Sequence, residues 1–160
     1  MKLLLEHRGR RYFAIALQAA ALIEPPFSGA VFPCLLWDHE GGASPEQKSA
    51  LAGSLIDGGC RYAVCGGREN GDWEEAFDLA YVHRHGDKSD EEQDRYFVMT
   101  TSHRDQPAGD VAFFFVFNTN FGEHDFREYL ILHVGTPRAE EPVDVWVARH
   151  ARGRRGAGAT

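Results

Sequence analysis

Residues 60–77, CRYAVCGGRENGDWEEAF, pass from an apolar run through the glycine pair Gly66-Gly67 and a charged loop into a helical pattern. A short apolar run bounded by turn residues is typical of a buried strand. Beyond the loop, Trp73 and Phe77 recur on one face at helical spacing, and Asp72 occupies the position of an N-cap. The stretch therefore predicts a strand–turn–helix unit of an α/β protein.

The same order of elements precedes this unit. Residues 31–38, VFPCLLWD, predict a buried strand that ends at an aspartate. Residues 44–59 predict a helix, because Ser44 is a good N-cap and Gln47 completes a capping box.

Strands and helices also alternate after the unit of residues 60–77. Residues 95–103 and 128–135 predict a third and a fourth strand, with residues 106–118, QPAGDVAFFFVFN, between them. The aromatic content of this last segment favours a strand, whereas Pro107 and Asp110 favour the opening of a helix. We choose a helix because two parallel strands need a crossover between them.

This alternation predicts the α/β class, as a single three-layer domain with a mainly parallel sheet of four to five strands and crossover helices. The domain is expected to span residues 1–137, with its core in residues 31–135. Residues 138–160 form a C-terminal extension that holds one short element. Its basic, glycine-rich tail, residues 151–160, is predicted to be disordered.

Two segments are harder to interpret. Residues 2–18 fit a hairpin that turns at Gly9, but they also fit a short strand followed by a helix over residues 11–23, which we favour. Residues 86–94, GDKSDEEQD, predict a solvated acidic loop.

The bulk composition limits the possible functions. The chain has 160 residues and a formal net charge of -7, which disfavours nucleic acid and anionic membranes as partners and is compatible with a basic protein. Its three cysteines, Cys34, Cys60 and Cys65, are an odd number, and no secretion signal is visible. We therefore expect reduced thiols and a cytoplasmic location.

Several short motifs resemble a family of small uncharacterised bacterial proteins, a domain of unknown function. The matching positions are Trp37 and Asp38; Gly59, Cys60, Tyr62 and Gly66; and Thr100, Thr101, His103, Asp105 and Pro107. The likeness covers residues 31–120. It implies the α/β class and a helix after Pro107, and it implies no activity.

Three loops are expected to meet at one edge, because the carboxyl ends of parallel strands lie together and ligands bind there. They follow the first three strands of the predicted sheet, and His133 at the end of the fourth strand could approach them. The candidate binding residues on this edge are Trp37, Asp38, Arg68, Thr101, His103, Arg104 and Asp105.

A thiol enzyme could be built from the same loops. Cys65 would be the nucleophile, His103 the base, and Asp38 or Asp105 the group that orients it. Free cysteine is usually a small core residue, however, and we favour that interpretation of Cys65.

Nucleotide and metal sites are not expected. The pair Gly66-Gly67 matches neither a Rossmann nor a Walker pattern, and carboxylates such as Asp72 and Glu74 at the helix start would repel phosphate. We interpret the glycines as a tight turn. The histidines show no metal-ligand spacing, so no cofactor or metal is predicted.

The sequence therefore favours a non-catalytic protein-binding or accessory domain with a protein partner, and the acidic charge favours a basic one. A small enzyme or a ligand sensor around Asp38, Cys65, Arg68 and His103 is the alternative. A homodimer through the aromatic helix from Val111 to Phe117 is also predicted, because that helix is apolar nearly all round.

Overall fold

The computed structural model describes residues 1–153, which form one six-stranded sheet and five helices. The strands are β1 (Lys2–His7), β2 (Arg10–Leu17), β3 (Phe32–Asp38), β4 (Cys60–Gly67), β5 (Met99–Ser102) and β6 (Glu128–Val134). The helices are α1 (Pro45–Asp57), α2 (Asn70–His85), α3 (Asp90–Tyr96), α4 (Ala108–Phe117) and α5 (Val143–Ala151).

The sheet has the order β1-β2-β6-β3-β4-β5. Every neighbouring pair is parallel except β1 and β2, which are antiparallel. The predicted α/β class with a mainly parallel sheet is confirmed, and the sheet has six strands where four to five were expected. The additional strands belong to the N-terminal hairpin.

The helix that we favoured over residues 11–23 is wrong, and the hairpin alternative is right. The chain reverses at Arg8 and Gly9, which both have positive φ (51° and 75°). Strand β2 then pairs residue by residue with β6 from Arg11 to Leu17. Pairing with an already buried strand stabilises the extended form more than an isolated helical stripe could.

Two helical layers cover the sheet. Helices α1 and α2 enclose one core cluster, which includes Leu51, Leu55, Trp73 and Phe77. Helices α4 and α5 enclose the other, which includes Val111, Phe115 and Val147. Strands β3 and β6 between them are mostly apolar, and every residue of both is buried. This is the pattern expected of a parallel sheet covered on both sides.

Of the N-caps predicted for α1 and α2, the first is confirmed and the second is wrong. Ser44 caps α1 as predicted, and its capping box with Gln47 is formed. Asp72, predicted as the N-cap of α2, lies inside the first turn instead. The N-cap is Glu69, in the left-handed conformation with φ 50°, because Gly67 and Glu69 together turn the chain sharply out of β4.

The C-terminal half differs from the expectation at the acidic loop and contains the short element expected after residue 138, which is α5. The predicted acidic loop contains α3, whose N-cap Ser89 accepts a hydrogen bond from the Glu92 backbone N–H. Helix α5 packs against α4 and buries Val143 and Val147. The predicted helix after Pro107 is present as α4. Disorder was predicted for residues 151–160, but Ala151 ends α5 and Arg152 is its C-cap; residues 154–160 lie outside the described residues.

No helix in residues 1–153 is long and apolar enough to cross a membrane.

The capping box predicts a difference between two serines. Ser44→Ala should lower the free energy of unfolding by about 1 kcal/mol, because it leaves the Gln47 backbone N–H without its side-chain acceptor. Ser89→Ala is the matched control: α3 buries no residue, so its cap should contribute less to global stability. Urea denaturation of both variants measures the difference, and equal losses would contradict it.

Candidate functional site

An open groove of about 1000 Å³ lies at the carboxyl edge of β3, β4 and β5. Its walls combine glycine-rich backbone with ionised side chains. The glycines are Gly41, Gly42, Gly67 and Gly71, the carboxylates are Glu40, Glu69, Asp72, Asp105 and Glu141, and the cations are Arg68 and Arg104. Parallel strands bring these separate loops together at the edge where α/β domains bind ligands.

The predicted site residues divide between the groove wall and the layer beneath it. Trp37, Arg68, His103, Arg104 and Asp105 all line the groove. The other predicted residues are Asp38, Thr101 and Cys65, and they do not.

The Asp38 carboxylate is buried, with 1% of the residue exposed. Its Oδ1 accepts hydrogen bonds from the backbone N–H groups of Glu40 (3.0 Å) and Gly41 (2.8 Å). Its Oδ2 accepts one from the Trp73 indole N–H at 2.8 Å. The carboxylate therefore fixes the loop after β3 to the first turn of α2 and is not free to orient a catalytic histidine.

The glycine pair at the end of β4 is required by close packing. A Cβ at Gly67 would lie 2.4 Å from the Asp38 carbonyl oxygen, and its φ is +76°. A Cβ at Gly66 would lie 2.7 Å from the Trp37 ring. These contacts support the interpretation of the pair as a tight turn, since only glycine fits both positions without displacement.

The Cys65 thiol lies in the core. It is fully buried among the residues packed under α1 and α2, whereas the His103 ring packs on Phe114 of α4, 4.6 Å between centroids, on the opposite side of the sheet. Burial, together with the charge of Glu74, raises the pKa of the Cys65 thiol well above its usual value. The structure therefore does not bring the proposed nucleophile and base together.

His103 has both ring nitrogens engaged and is 6% exposed. The Thr101 hydroxyl donates to Nε2 at 3.0 Å, and Nδ1–H donates to Gln106 Oε1 at 3.0 Å. This pair of contacts explains the distinctive 101–106 segment: Thr101 and His103 shape the loop before α4. Arg104 and Asp105 are the charged side chains of that loop, and both are exposed.

Carboxylates of the groove are held by neighbouring groups, whereas its two arginines form no ion pair within the described residues. Buried Lys48 contacts Glu69 at 2.6 Å and Asp72 at 3.3 Å, and the Glu40 carboxylate accepts from the Thr136 N–H at 3.0 Å. These contacts hold the carboxylates in place around the groove. Arg68 and Arg104 make no ion pair within the described residues 1–153.

A second polar cluster adjoins the groove. The sequence predicted that His133 could approach this edge, but it did not predict the cluster. We call it the histidine chain: Glu141, His39, His133 and Asp144. His39 Nε2 lies 2.8 Å from His133 Nδ1, and His133 Nε2 lies 2.7 Å from Asp144 Oδ1. Both imidazoles are buried. The only signal was that each histidine stands at a strand end, and the sequence does not reveal that β3 and β6 are neighbours.

One ring nitrogen of the histidine chain, His39 Nδ1, is buried without a hydrogen-bond partner. If His133 donates to Asp144 and His39 donates to His133, then His39 Nδ1 carries a lone pair. It lies 3.3 Å from Glu141 Oε2 and has no hydrogen-bond partner. Burial and the neighbouring His133 lower the pKa of His39, and the Glu141 carboxylate opposes that shift.

No group of three or more histidine, cysteine or acidic side chains is placed to hold a metal ion in the part of the chain that the structure describes.

The fold and the groove define an α/β domain with an open, polar cleft at the carboxyl edge of a parallel sheet. Residues 11–150 match a family described as a domain of unknown function (DUF7684), and the chain belongs to that family. The match extends beyond the expected likeness over residues 31–120, and it includes β2 except Arg10 and α5 except Ala151. No curated protein and no solved structure matches the chain.

The hydrogen bonds of Asp38 predict a large stability effect. Asp38→Asn replaces one acceptor oxygen with an NH2 donor, which must face either the Trp73 indole N–H or the backbone N–H groups of Glu40 and Gly41. The free energy of unfolding should therefore fall by about 2–4 kcal/mol. Asp105→Asn is the matched control, because Asp105 is exposed and asparagine tolerates its positive φ of 56°. Urea denaturation should show a change within about 0.5 kcal/mol for the control, and a similarly small loss for Asp38→Asn would refute this role.

The lowered pKa of His39 predicts a pH effect. The folded protein binds this proton at lower pH than the unfolded chain, so stability falls as pH drops from about 6.5 through the pKa of His39. Glu141→Gln should lower that pKa further and enlarge the loss. NMR titration of the His39 ring and urea denaturation at two pH values measure both effects. Glu123→Gln is the control, and an unchanged or raised pKa in Glu141→Gln would contradict the assignment.

Proposed function

We propose that this protein is a non-catalytic binding domain whose groove receives a basic segment of a protein partner. The proposal rests on the contrast between the side chains that line the groove and those in the layer beneath it. The candidate catalytic side chains are buried and engaged, whereas the ionised groups of a recognition surface line the groove.

The non-catalytic assignment rests on three side chains. Asp38 accepts three hydrogen bonds, Cys65 is fully buried, and both ring nitrogens of His103 are occupied. A nucleophile–base pair needs mutual contact and access to substrate. The alternative of a thiol enzyme therefore has little support, and a ligand sensor would have to recognise its ligand through Arg68 and Arg104.

The preference for a basic partner rests on charge. Five carboxylates and two arginines line the groove, and Lys48 beneath it pairs with Glu69 and Asp72, so the carboxylates still outnumber the cations. The whole chain has a formal net charge of -7. Both the local and the overall field therefore attract cations and speed their encounter with the groove. The same field disfavours nucleic acid. The arginines would receive carbonyl or carboxylate groups of the same partner segment.

We further propose a cytoplasmic location. Cys34, Cys60 and Cys65 are free and buried, which suits a reducing compartment.

A defined peptide tests the groove without knowledge of the natural partner. A short peptide of alternating glycine and lysine should shift the backbone amide resonances of Gly41, Gly42, Gly67 and Gly71. Exposed ion pairs contribute up to about 1 kcal/mol each, so the dissociation constant should be on the order of 1 mM and should rise with salt. The matched peptide with glutamate in place of lysine should cause smaller shifts.

Paired variants make the test specific. The double variant Asp72→Asn with Asp105→Asn removes two groove charges and should weaken the lysine peptide about fivefold or more. The control, Asp87→Asn with Glu123→Gln, removes the same charge from exposed positions outside the groove lining. Equal weakening by both would indicate a general charge effect and defeat the proposal. Tighter binding of the glutamate peptide would favour the sensor alternative.

A further inference from the structure

The outer surface of α4 and α5 carries an aromatic strip, which we define as Phe113, Phe117, Trp146 and His150. Phe113 packs against Phe117 with ring centroids 4.8 Å apart, and Trp146 stacks on His150 at 5.9 Å. His150 joins the two helices, since its Nε2 donates to the Gly109 carbonyl oxygen at 3.0 Å. Phe113 and Phe117 nevertheless remain 50% and 47% exposed.

The strip is exposed because α4 is apolar on more than one face. Val111 and Phe115 face the sheet and are fully buried, and Phe114 packs against His103, which leaves Phe113 and Phe117 to point outward. The N-terminal segment, which forms a hairpin at the sheet edge, does not cover them. Helix α5 covers part of this outer face and adds Trp146, together with the exposed Val145 (64%) beside it.

The two ends of the strip have opposite charge. A hollow of about 360 Å³ at one end is lined by Asp110, Glu140 and Trp146. A central hollow of about 520 Å³ is lined by the strip and Arg149, and Arg149 also lines the next hollow with Arg152. These four charged side chains form no ion pair within residues 1–153. The surface is thus acidic at one end, aromatic in the middle and basic at the other end.

We propose that a second copy of this chain docks on the aromatic strip through a two-fold axis. In an isologous contact the same patch faces itself in reversed direction. The basic end of one copy, Arg149 and Arg152, then lies against the acidic end of the other, Asp110 and Glu140. The aromatic centres meet, and exposed phenylalanine rings can fill the central hollows. This contact lies outside the groove and does not depend on the groove's function.

The opposite charges at the two ends of the aromatic strip favour a second copy of this chain as its partner. A partner of one sign would match one end of the strip and repel the other, and an anionic lipid surface would be repelled by Asp110 and Glu140. Aromatic residues and arginine are the types that dominate protein interfaces. The strip is small beside the roughly 800 Å² per partner of a stable complex, so we expect a dissociation constant on the order of 10–100 µM.

Sedimentation velocity of the full chain tests the dimer over protein concentrations from about 5 to 500 µM. The average mass should rise toward that of two chains. Phe117→Ser should weaken association about tenfold or more. Leu79→Ser is the matched control, since Leu79 is also 50% exposed but lies on α2 in the opposite layer. Circular dichroism and thermal unfolding verify that each variant is folded.

Charge exchange tests the two-fold geometry. Arg149→Glu and Glu140→Arg should each weaken the dimer about five- to tenfold, and the chain that carries both should recover most of the loss, because the contacts re-form with their signs exchanged. A monomer at all concentrations would overturn the proposal. So would equal effects of Phe117→Ser and Leu79→Ser, or a double variant no stronger than either single variant.

Discussion

The buried Asp38 carboxylate joins the parts of the molecule on which the groove depends. Its three acceptor contacts connect the end of β3, the Glu40–Gly41 backbone and the Trp73 indole on α2. A buried charge is tolerable only when its lone pairs are satisfied, so the loop and the helix cannot move independently of the strand. The rigid floor that results allows Gly67 to pass within contact distance of the Asp38 carbonyl and leaves the open space above.

Much of the architecture could be predicted because local and tertiary preferences agree. Ser44 with Gln47 specifies one helix start, and the apolar runs of β3, β4 and β6 specify buried strands. The errors arise where tertiary pairing overrides local pattern. Residues 11–17 have a helical stripe, yet β6 offers them a full set of backbone partners. Asp72 is a good cap by type, but the turn forced by Gly67 moves the helix start to Glu69.

The meeting of three loops at one edge of the sheet could be predicted, but the contacts of the individual side chains there could not. The meeting of loops after parallel strands brought Arg68, His103, Arg104 and Asp105 to one groove. The sequence could not show which side chains would be buried or hydrogen-bonded within the fold and so not available to a ligand. That depends on which face of the sheet Cys65 occupies and on what His103 contacts. The histidine chain depends on the adjacency of β3 and β6, which are far apart in sequence and carry no mark of their pairing.

Both margins of the sheet are poorly suited to extension by another strand. At one side β5 offers only four residues, and at the other the hairpin partner β1 breaks its register between Leu3 and Leu5. Short or irregular border strands discourage backbone-mediated stacking and the fibrous aggregates that it produces. Association of this domain with a second copy of itself is therefore expected to use side chains on its helical layers, where a single substitution can abolish or redirect it without disturbing the sheet.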